Sequence, residues 1–347
     1  MTYEEREQHP PRTDGPPENA PLEEPLVEIT EPPLWYRRAL AAPRESRRVE
    51  VDGTAVHYLI WGAPASGEPA KPGIVFVHGN GAHAEWFAHI APFLAGPDMQ
   101  VASMDLAGMG ESAWRPDRYT RESYAKEIFA VTEHAGMAPG YVVGHSFGGF
   151  VSLVCASDYG DRLGGVILVD YGVRPPEEHE EWFADNPPPR PTRVYPDFET
   201  ALGRFRLAPD QPVANRFIFD HIARTSLREA TPEADALGRT AGGAGWTWKF
   251  DPGIFYGLTL GRDLNERFQA IACPKAVVMG ALSWNGRKEV MDYHRKVGGA
   301  QTPVFAIPEA RHHVMLDQPH AFTMAIAGLV AAWEAQRQRQ GGGGNSL

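Results

Sequence analysis

At 347 residues, 43% of them apolar and 22% charged, the chain has ordinary globular composition and enough length for one large core or two smaller ones. Its formal net charge of −11 and the lack of any basic cluster argue against a nucleic-acid partner, because phosphate binding needs a clustered cationic surface. The two cysteines, Cys155 and Cys273, give no disulfide framework; with no basic-then-apolar leader and no run of about 18 apolar residues, a cytoplasmic protein without a membrane partner is expected.

Residues 1–33 hold eight prolines, nine acidic residues and two arginines, and are read as a disordered acidic, proline-rich tail. That tail carries −7 of the −11 charge, so attraction to a cationic substrate does not follow from the total. A short helix is expected from Leu34. Next, Arg48-Val49-Glu50-Val51 and Val56-His57-Tyr58-Leu59-Ile60 flank Asp52-Gly53, a β-hairpin signal. Ile74-Val75-Phe76-Val77 predicts a buried strand, followed by a helical segment from about His83, and Val101-Ala102-Ser103-Met104 predicts another strand ending at Asp105. Over 121–137, Tyr124, Ile128, Val131 and Ala135 form one helical stripe with Thr120 as N-cap.

The segment Tyr141-Val142-Val143-Gly144-His145-Ser146-Phe147-Gly148-Gly149 reads as a strand entering a nucleophile elbow, the sharp strand-to-helix turn that lifts a serine hydroxyl above a sheet. Side chains two before and two after that serine would collide, which accounts for Gly144 and Gly148. Ser146 is thus the candidate nucleophile, with an apolar helix from Phe150 behind it. Val166-Ile167-Leu168-Val169 is a further strand. Strands alternating with helices predict a mostly parallel sheet covered on both faces, with its ligand site beyond the carboxyl ends of the strands.

After Asp170 the rhythm breaks, and residues 173–270 are rich in Pro, Trp, Phe and Arg without a strong buried strand. This is read as a mainly helical cap inserted between the two parts of the body, 34–172 and 271–340. The alternation resumes with Ala276-Val277-Val278-Met279, a helix near 287–297, and Val304-Phe305-Ala306-Ile307. A last helix presents Phe322, Ile326, Leu329, Val330 and Trp333 on one face, with Asp317 as N-cap and Pro319 in its first turn; the glycine-rich 341–347 is read as flexible.

His78-Gly79-Asn80-Gly81, Asp105-Leu106-Ala107-Gly108-Met109-Gly110-Glu111-Ser112, the Gly-His-Ser-Phe-Gly elbow and His312-His313-Val314-Met315-Leu316-Asp317-Gln318-Pro319 together resemble the α/β-hydrolase fold superfamily over about residues 46–337. The resemblance implies an eight-stranded sheet flanked by helices and a reactive histidine on the loop after the last strand. That residue is His312, with His313 as the fallback and Arg311 standing where the superfamily usually has glycine. Most members place the acid after strand seven. Here that strand runs into Gly280-Ala281-Leu282-Ser283-Trp284-Asn285, without a carboxylate, so the acid resembles that of members which carry it after strand six, namely Asp170. Asp105 and Glu289 are the alternatives.

The order Ser146, Asp170, His312 agrees with serine, acid, histidine chemistry in this fold. His312 would take the serine proton, Asp170 would hold the imidazole, and the backbone N–H groups of Phe147 and Asn80 would receive the oxyanion. His78 is expected to brace its loop. The His312-His313 pair has no third ligand at a metal-like spacing, so no metal and no cofactor is expected. Arg204, Arg206 and Arg224, with Trp246 among the cap aromatics, are weak candidates for substrate contact. The expected activity is a serine hydrolase acting on an ester or lactone of a small, fairly apolar molecule. A carbon–carbon bond hydrolase of the meta-cleavage-product type and a ligand receptor on the same scaffold are the alternatives, while epoxide and haloalkane chemistry would need an aspartate at position 146.

Overall fold

A computed structural model describes residues 27–65, 67–175, 190–230, 239–241, 243–254, 256 and 258–342. Most of the acidic tail, the cap aromatics Trp182, Phe183 and Phe255, and the end 343–347 lie outside the described residues. At the tail's end, the Ile29 N–H donates to the Ala214 carbonyl at 2.7 Å, which ties Ile29 to the cap.

The sheet opens with β1 (Glu45–Val51) and β2 (Thr54–Trp61), an antiparallel hairpin whose two-residue turn, Asp52-Gly53, has φ of 50° and 74°. Both turn residues need positive φ to match the strand twist, which is why Asp-Gly sits there. β3 (Lys71–Val77), β4 (Gln100–Met104), β5 (Met137–His145) and β6 (Leu163–Val169) follow. The cap contributes β7 (Leu227–Ala230) and β8 (Gly245–Trp248), and the body resumes with β9 (Lys275–Gly280) and β10 (Val304–Ile307). The order across the eight-stranded sheet is β1-β2-β4-β3-β5-β6-β9-β10, with the β1–β2 and β2–β4 pairs antiparallel and every neighbouring pair from β4 onward parallel.

Strands buried on both faces must be apolar at every position, and alternate residues of β3, β5, β6 and β9 feed two different cores. Val75, Val77, Val142, Val166, Leu168, Val277 and Met279 face α3 (Arg121–His134), α4 (Phe147–Tyr159) and α7 (Leu264–Ala270). Ile74, Phe76, Tyr141, Val143, Ile167, Val169 and Val278 face α1 (Leu34–Leu40), α2 (Ala91–Leu94) and α10 (Pro319–Gly342). Thr120 caps α3 as expected. Its Oγ1 accepts from the Ser123 N–H at 3.0 Å while the Ser123 hydroxyl accepts from the Thr120 N–H at 3.1 Å, a reciprocal box typically worth about 1 kcal/mol.

The cap is mixed rather than mainly helical among the described residues. Beside α5 (Phe198–Leu202) and α6 (Arg216–Thr225) it carries the antiparallel β7–β8 ribbon, extended by bridges from Thr192 to Thr240 and from Tyr195 to Trp246. Phe217, Ile218 and Ile222 of α6 join the same core as α10, so the cap is packed onto the body rather than around a core of its own. Conversely α7, at the end of the segment read as cap, buries Leu264 and Phe268 in the body core beside α4. α8 (Lys288–Gly298) falls where expected.

Asp317 is not the N-cap of the last helix. It closes the short α9 (Val314–Asp317), and Oδ2 accepts from the Arg311 N–H at 2.6 Å. Gln318 separates it from Pro319, whose missing N–H needs no cap.

Candidate active site

Three chain segments bring the predicted residues together above the carboxyl ends of β5, β6 and β10. Ser146 stands between β5 and α4 at φ 55° and ψ −118°, a left-handed conformation that a non-glycine residue holds only when its surroundings compel it. Its N–H donates to the Val169 carbonyl at 2.9 Å, and its carbonyl accepts from the Phe150 N–H at 3.1 Å, so the turn is held from both sides. A Cβ on Gly144 would run into the Gly148 carbonyl and Ser152 Oγ; one on Gly148 would run into the Val77 and His78 carbonyls. The two glycines let strand, helix and the loop after β3 meet at one point.

Asp170 directly follows β6 at φ 44° and is buried. Oδ1 accepts from His312 Nδ1 at 2.9 Å, Ser283 Oγ at 2.6 Å and Asn285 Nδ2 at 3.0 Å, and Oδ2 accepts from the Gly280 N–H at 2.7 Å. Burial by itself would raise this carboxyl; the hydrogen bond from His312, with the donors from Ser283 and Gly280, carries it below the usual carboxylate range instead. The loop after β9, which lacks an acid, thus supplies the donors that keep the β6 acid ionised.

His312 completes the line, with Nε2 3.0 Å from Ser146 Oγ. An ionised Asp170 can only accept, so Nδ1 carries the proton and Nε2 offers its lone pair to the serine hydroxyl. The His312 side chain is 14% exposed and Asp170 is closed off, which leaves the serine end of the line open to an incoming molecule. Arg311 has no left-handed φ; in this loop that conformation belongs to Glu309 at 57°, so glycine is not required at position 311.

Residues outside the predicted set hold this loop. His145, the variable residue of the elbow, donates through Nε2 to the His312 carbonyl at 2.9 Å. Gln211, from the cap, accepts from the His313 N–H at 3.0 Å through Oε1, while its Nε2 donates to both Asp317 oxygens at 3.0 and 3.1 Å. Burial keeps His145 neutral, pushed down to about 3, and His313 well below its ordinary value. The absence of an acid in Gly280–Asn285 was the readable counterpart of the Ser283 and Asn285 donors; His145 and Gln211 carry no comparable signal.

His78 braces rather than reacts: Nδ1 donates to the Gly79 carbonyl at 2.7 Å, and Nε2 accepts from the Leu106 N–H at 3.1 Å. Phe147 opens α4, next to Ser146, so its backbone sits at the positive end of the helix. Gly79 comes so close that an added Cβ would lie 3.3 Å from Ser146 Cβ, which places the loop carrying Asn80 against the serine. Asp105 accepts from His57 Nδ1 at 2.7 Å and from the Ala84 and Glu111 N–H groups at 2.6 and 2.9 Å, and Glu289 lies in the first turn of α8. Neither meets His312.

The cap candidates are not brought to the relay. Arg204 is exposed; Arg206 is exposed and donates to the Phe205 and Gly203 carbonyls; Arg224 is exposed and pairs with Glu199 at 3.8 Å; Trp246 packs edge-on to Phe198 at 4.8 Å. Phe250 of the cap reaches the loop after β3: its ring would lie 3.8 Å from a Cβ on Gly81.

Comparison with known proteins agrees with this geometry. The alpha/beta hydrolase fold family matches residues 72–317. The chain is 26% identical over 282 residues to esterase Rv0045c of Mycobacterium tuberculosis, covering 81% of this chain and 88% of that protein. Lipase LipV of the same organism is 31% identical over 105 residues, 30% of this chain and 38% of the lipase. Among solved structures, a thioesterase domain from the curacin biosynthetic pathway superposes with a TM-score of 0.62 at 20% identity, covering 83% of this chain and 99% of the domain. The Rv0045c esterase, in a structure described together with its transition metal inhibition, superposes with a TM-score of 0.61 at 22% identity, covering 86% and 96%.

Proposed function

Because the chain belongs to the alpha/beta hydrolase fold family and is a hydrolase, we propose that it cleaves a carboxylic ester or lactone of a small, fairly apolar molecule through an acyl-serine intermediate. The observation that carries this reading is the unbroken line Ser146 Oγ, His312 Nε2, His312 Nδ1, Asp170 Oδ1, with its serine on a strained elbow at a helix N-terminus. The curated esterase and lipase relatives point to the same bond class.

In this reading Ser146 Oγ attacks the acyl carbon as His312 Nε2 takes its proton. The oxygen of the tetrahedral adduct accepts from the Phe147 and Asn80 N–H groups, next to the positive end of α4. Collapse breaks the acyl–oxygen bond, and His312 returns the proton to the departing alkoxide. Water then repeats the sequence on the acyl-serine and releases the acid; a lactone gives one hydroxy acid by the same two steps. Asp170 keeps the proton on Nδ1 and offsets the imidazolium charge. Phe250, beside the oxyanion loop, offers an apolar wall to the acyl or alcohol part.

The two buried thiols, Cys155 and Cys273, are free, and no described helix is long and apolar enough to cross a membrane. A cytoplasmic setting is part of this proposal. The test is acid release from a panel of esters and lactones by the wild type and by Ser146→Ala. Release by the wild type that falls about 10⁴-fold or more in the variant is expected. Release that survives the substitution would remove Ser146 from the chemistry, and no release from any ester or lactone would turn the reading toward carbon–carbon cleavage or ligand binding.

A further inference from the structure

Three imidazoles converge beside Ser146, and one of them belongs to the relay. One ring nitrogen from each of His145, His312 and His313 lies within 4.8 Å of the other two. The ring centroids are 4.9 Å apart for His145 and His312, 5.0 Å for His312 and His313, and 5.6 Å for His145 and His313. The third nitrogen source, invisible in the sequence spacing, is the variable residue of the elbow.

Each ring is fastened through one nitrogen to an oxygen that can only accept: His145 Nε2 to the His312 carbonyl at 2.9 Å, His313 Nε2 to the Pro209 carbonyl at 3.3 Å, and His312 Nδ1 to Asp170 at 2.9 Å. Each fastening therefore puts the proton on the bonded nitrogen and a lone pair on the other. For His145 and His313, 2% and 3% exposed, that other nitrogen is Nδ1, buried and without a hydrogen-bond partner among the described residues. Metal-binding histidines have this pattern, with one nitrogen donating to a carbonyl or carboxylate while the other holds the ion.

We propose that His145, His312 and His313 bind one transition-metal ion, and that the bound ion shuts down the relay. Imidazole suits Zn²⁺, Cu²⁺ and Ni²⁺, whereas Mg²⁺ and Ca²⁺ require oxygen ligands. A tetrahedral Zn²⁺ with bonds of about 2.0–2.1 Å sets its nitrogens roughly 3.3 Å apart, so the rings must rotate inward to grip it. Inhibition follows from bookkeeping at His312, because both of its nitrogens are already engaged. An ion on Nε2 takes the base from Ser146, and an ion on Nδ1 displaces Asp170. The inhibitory half of the proposal rests on the ester-hydrolase reading; the binding half does not.

The experiment uses the full chain, treated with EDTA and dialysed, and titrated with ZnCl₂ by calorimetry and in an ester-hydrolysis assay. One tightly bound ion per chain is expected, with activity lost at saturation, restored by EDTA, and untouched by Mg²⁺ or Ca²⁺. His313→Gln lies outside the relay and should keep wild-type turnover within about threefold, yet weaken both Zn²⁺ binding and inhibition by more than about tenfold. His145→Gln should lose binding similarly by calorimetry, and Ser146→Ala, which removes no ligand, should retain it. The proposal is overturned if no stoichiometric Zn²⁺ binding is seen, or if both histidine variants bind the ion as the wild type does. If the wild type hydrolyses no ester, the functional reading fails while calorimetry on the same four proteins still decides the metal site.

Discussion

Ser46, His57 and Asp105 are joined by the same two contacts as Ser146, His312 and Asp170. His57 Nε2 lies 2.9 Å from Ser46 Oγ and Nδ1 lies 2.7 Å from Asp105, against 3.0 and 2.9 Å at the candidate active site. What differs is where each serine stands. Ser46 sits near the start of the exposed strand β1, paired with Leu59 of β2, whereas Ser146 occupies a left-handed elbow at the start of α4, with glycine clearing the approach on either side. The carboxylates differ as well: Asp105 spends its remaining oxygen contacts on the Ala84 and Glu111 backbones, stapling loops, while Asp170 takes donors from Ser283, Asn285 and Gly280 that fix its aim at His312. A serine–histidine–acid line is therefore easily assembled between neighbouring strands; the strained turn at a helix N-terminus is what sets the Ser146 line apart and what the proposed nucleophile role rests on.

The sharpest way to break this contrast is to convert each acid to its amide. Asp170→Asn leaves the His312 tautomer uncontrolled, and kcat should fall by about 10⁴-fold. Asp105→Asn should instead cost about 1–3 kcal/mol of stability, as expected when a buried hydrogen-bond network loses an acceptor, with turnover per folded molecule within about threefold of wild type. Thermal melts read alongside active-site titration separate the two losses. If Asp105→Asn silences the folded enzyme, the two lines are not functionally distinct.

A smaller effect should follow from Ser283→Ala. Its hydroxyl favours the ionised Asp170, so removal raises that carboxyl, moves the acid limb of the pH–rate profile upward and lowers kcat by about tenfold. An unmoved acid limb would show that Gly280 and Asn285 suffice.

The two lines should respond alike to acid, because buried neutral histidines lie beside both. Burial pushes His83, near Asp105, and His145, near His312, down to about 3. In the unfolded chain each takes a proton below about pH 6.5, while the folded protein refuses it. Their contribution to stability is therefore complete above about pH 6.5 and erodes as the pH falls toward 3. The melting temperature should drop between pH 7.5 and 5, with a shallower slope in His145→Gln; a flat profile would contradict the burial argument.

The smallest effects belong to the surface. Ser46→Ala should leave kcat/KM within about twofold, and Arg206→Ala should leave KM unchanged and stability within about 0.5 kcal/mol. A KM increase in Arg206→Ala for a carboxylated substrate would restore that residue to the binding site.

Local chemistry explains which parts were readable from sequence. The apolar runs of β3, β5, β6 and β9, the Asp-Gly turn, the Thr120 cap and the elbow glycines each act within a few residues, so their signals are compact. The β7–β8 ribbon was missed because two four-residue strands, Leu227–Ala230 and Gly245–Trp248, pair across a long connection without a tight-turn signature. Asp317 was misread because its position before Pro319 suits an N-cap, yet its carboxylate finds the Arg311 N–H instead. The support of Asp170 by Ser283 and Asn285 depends on β6 lying beside β9, a neighbour relation that no spacing along the chain encodes.

Gln211 changes what it would mean to exchange the cap. One amide from the inserted segment grips the His313 N–H and both oxygens of Asp317, the same aspartate that anchors the Arg311 N–H. The insertion is thus a fastening of the histidine loop. A chimera that grafts a foreign cap between β6 and β9 to alter selectivity would loosen the loop that holds His312, the proposed base, unless an amide is supplied at that point. Selectivity and turnover in such grafts should be inherited together, and the first repair to attempt on an inactive one is this single side chain.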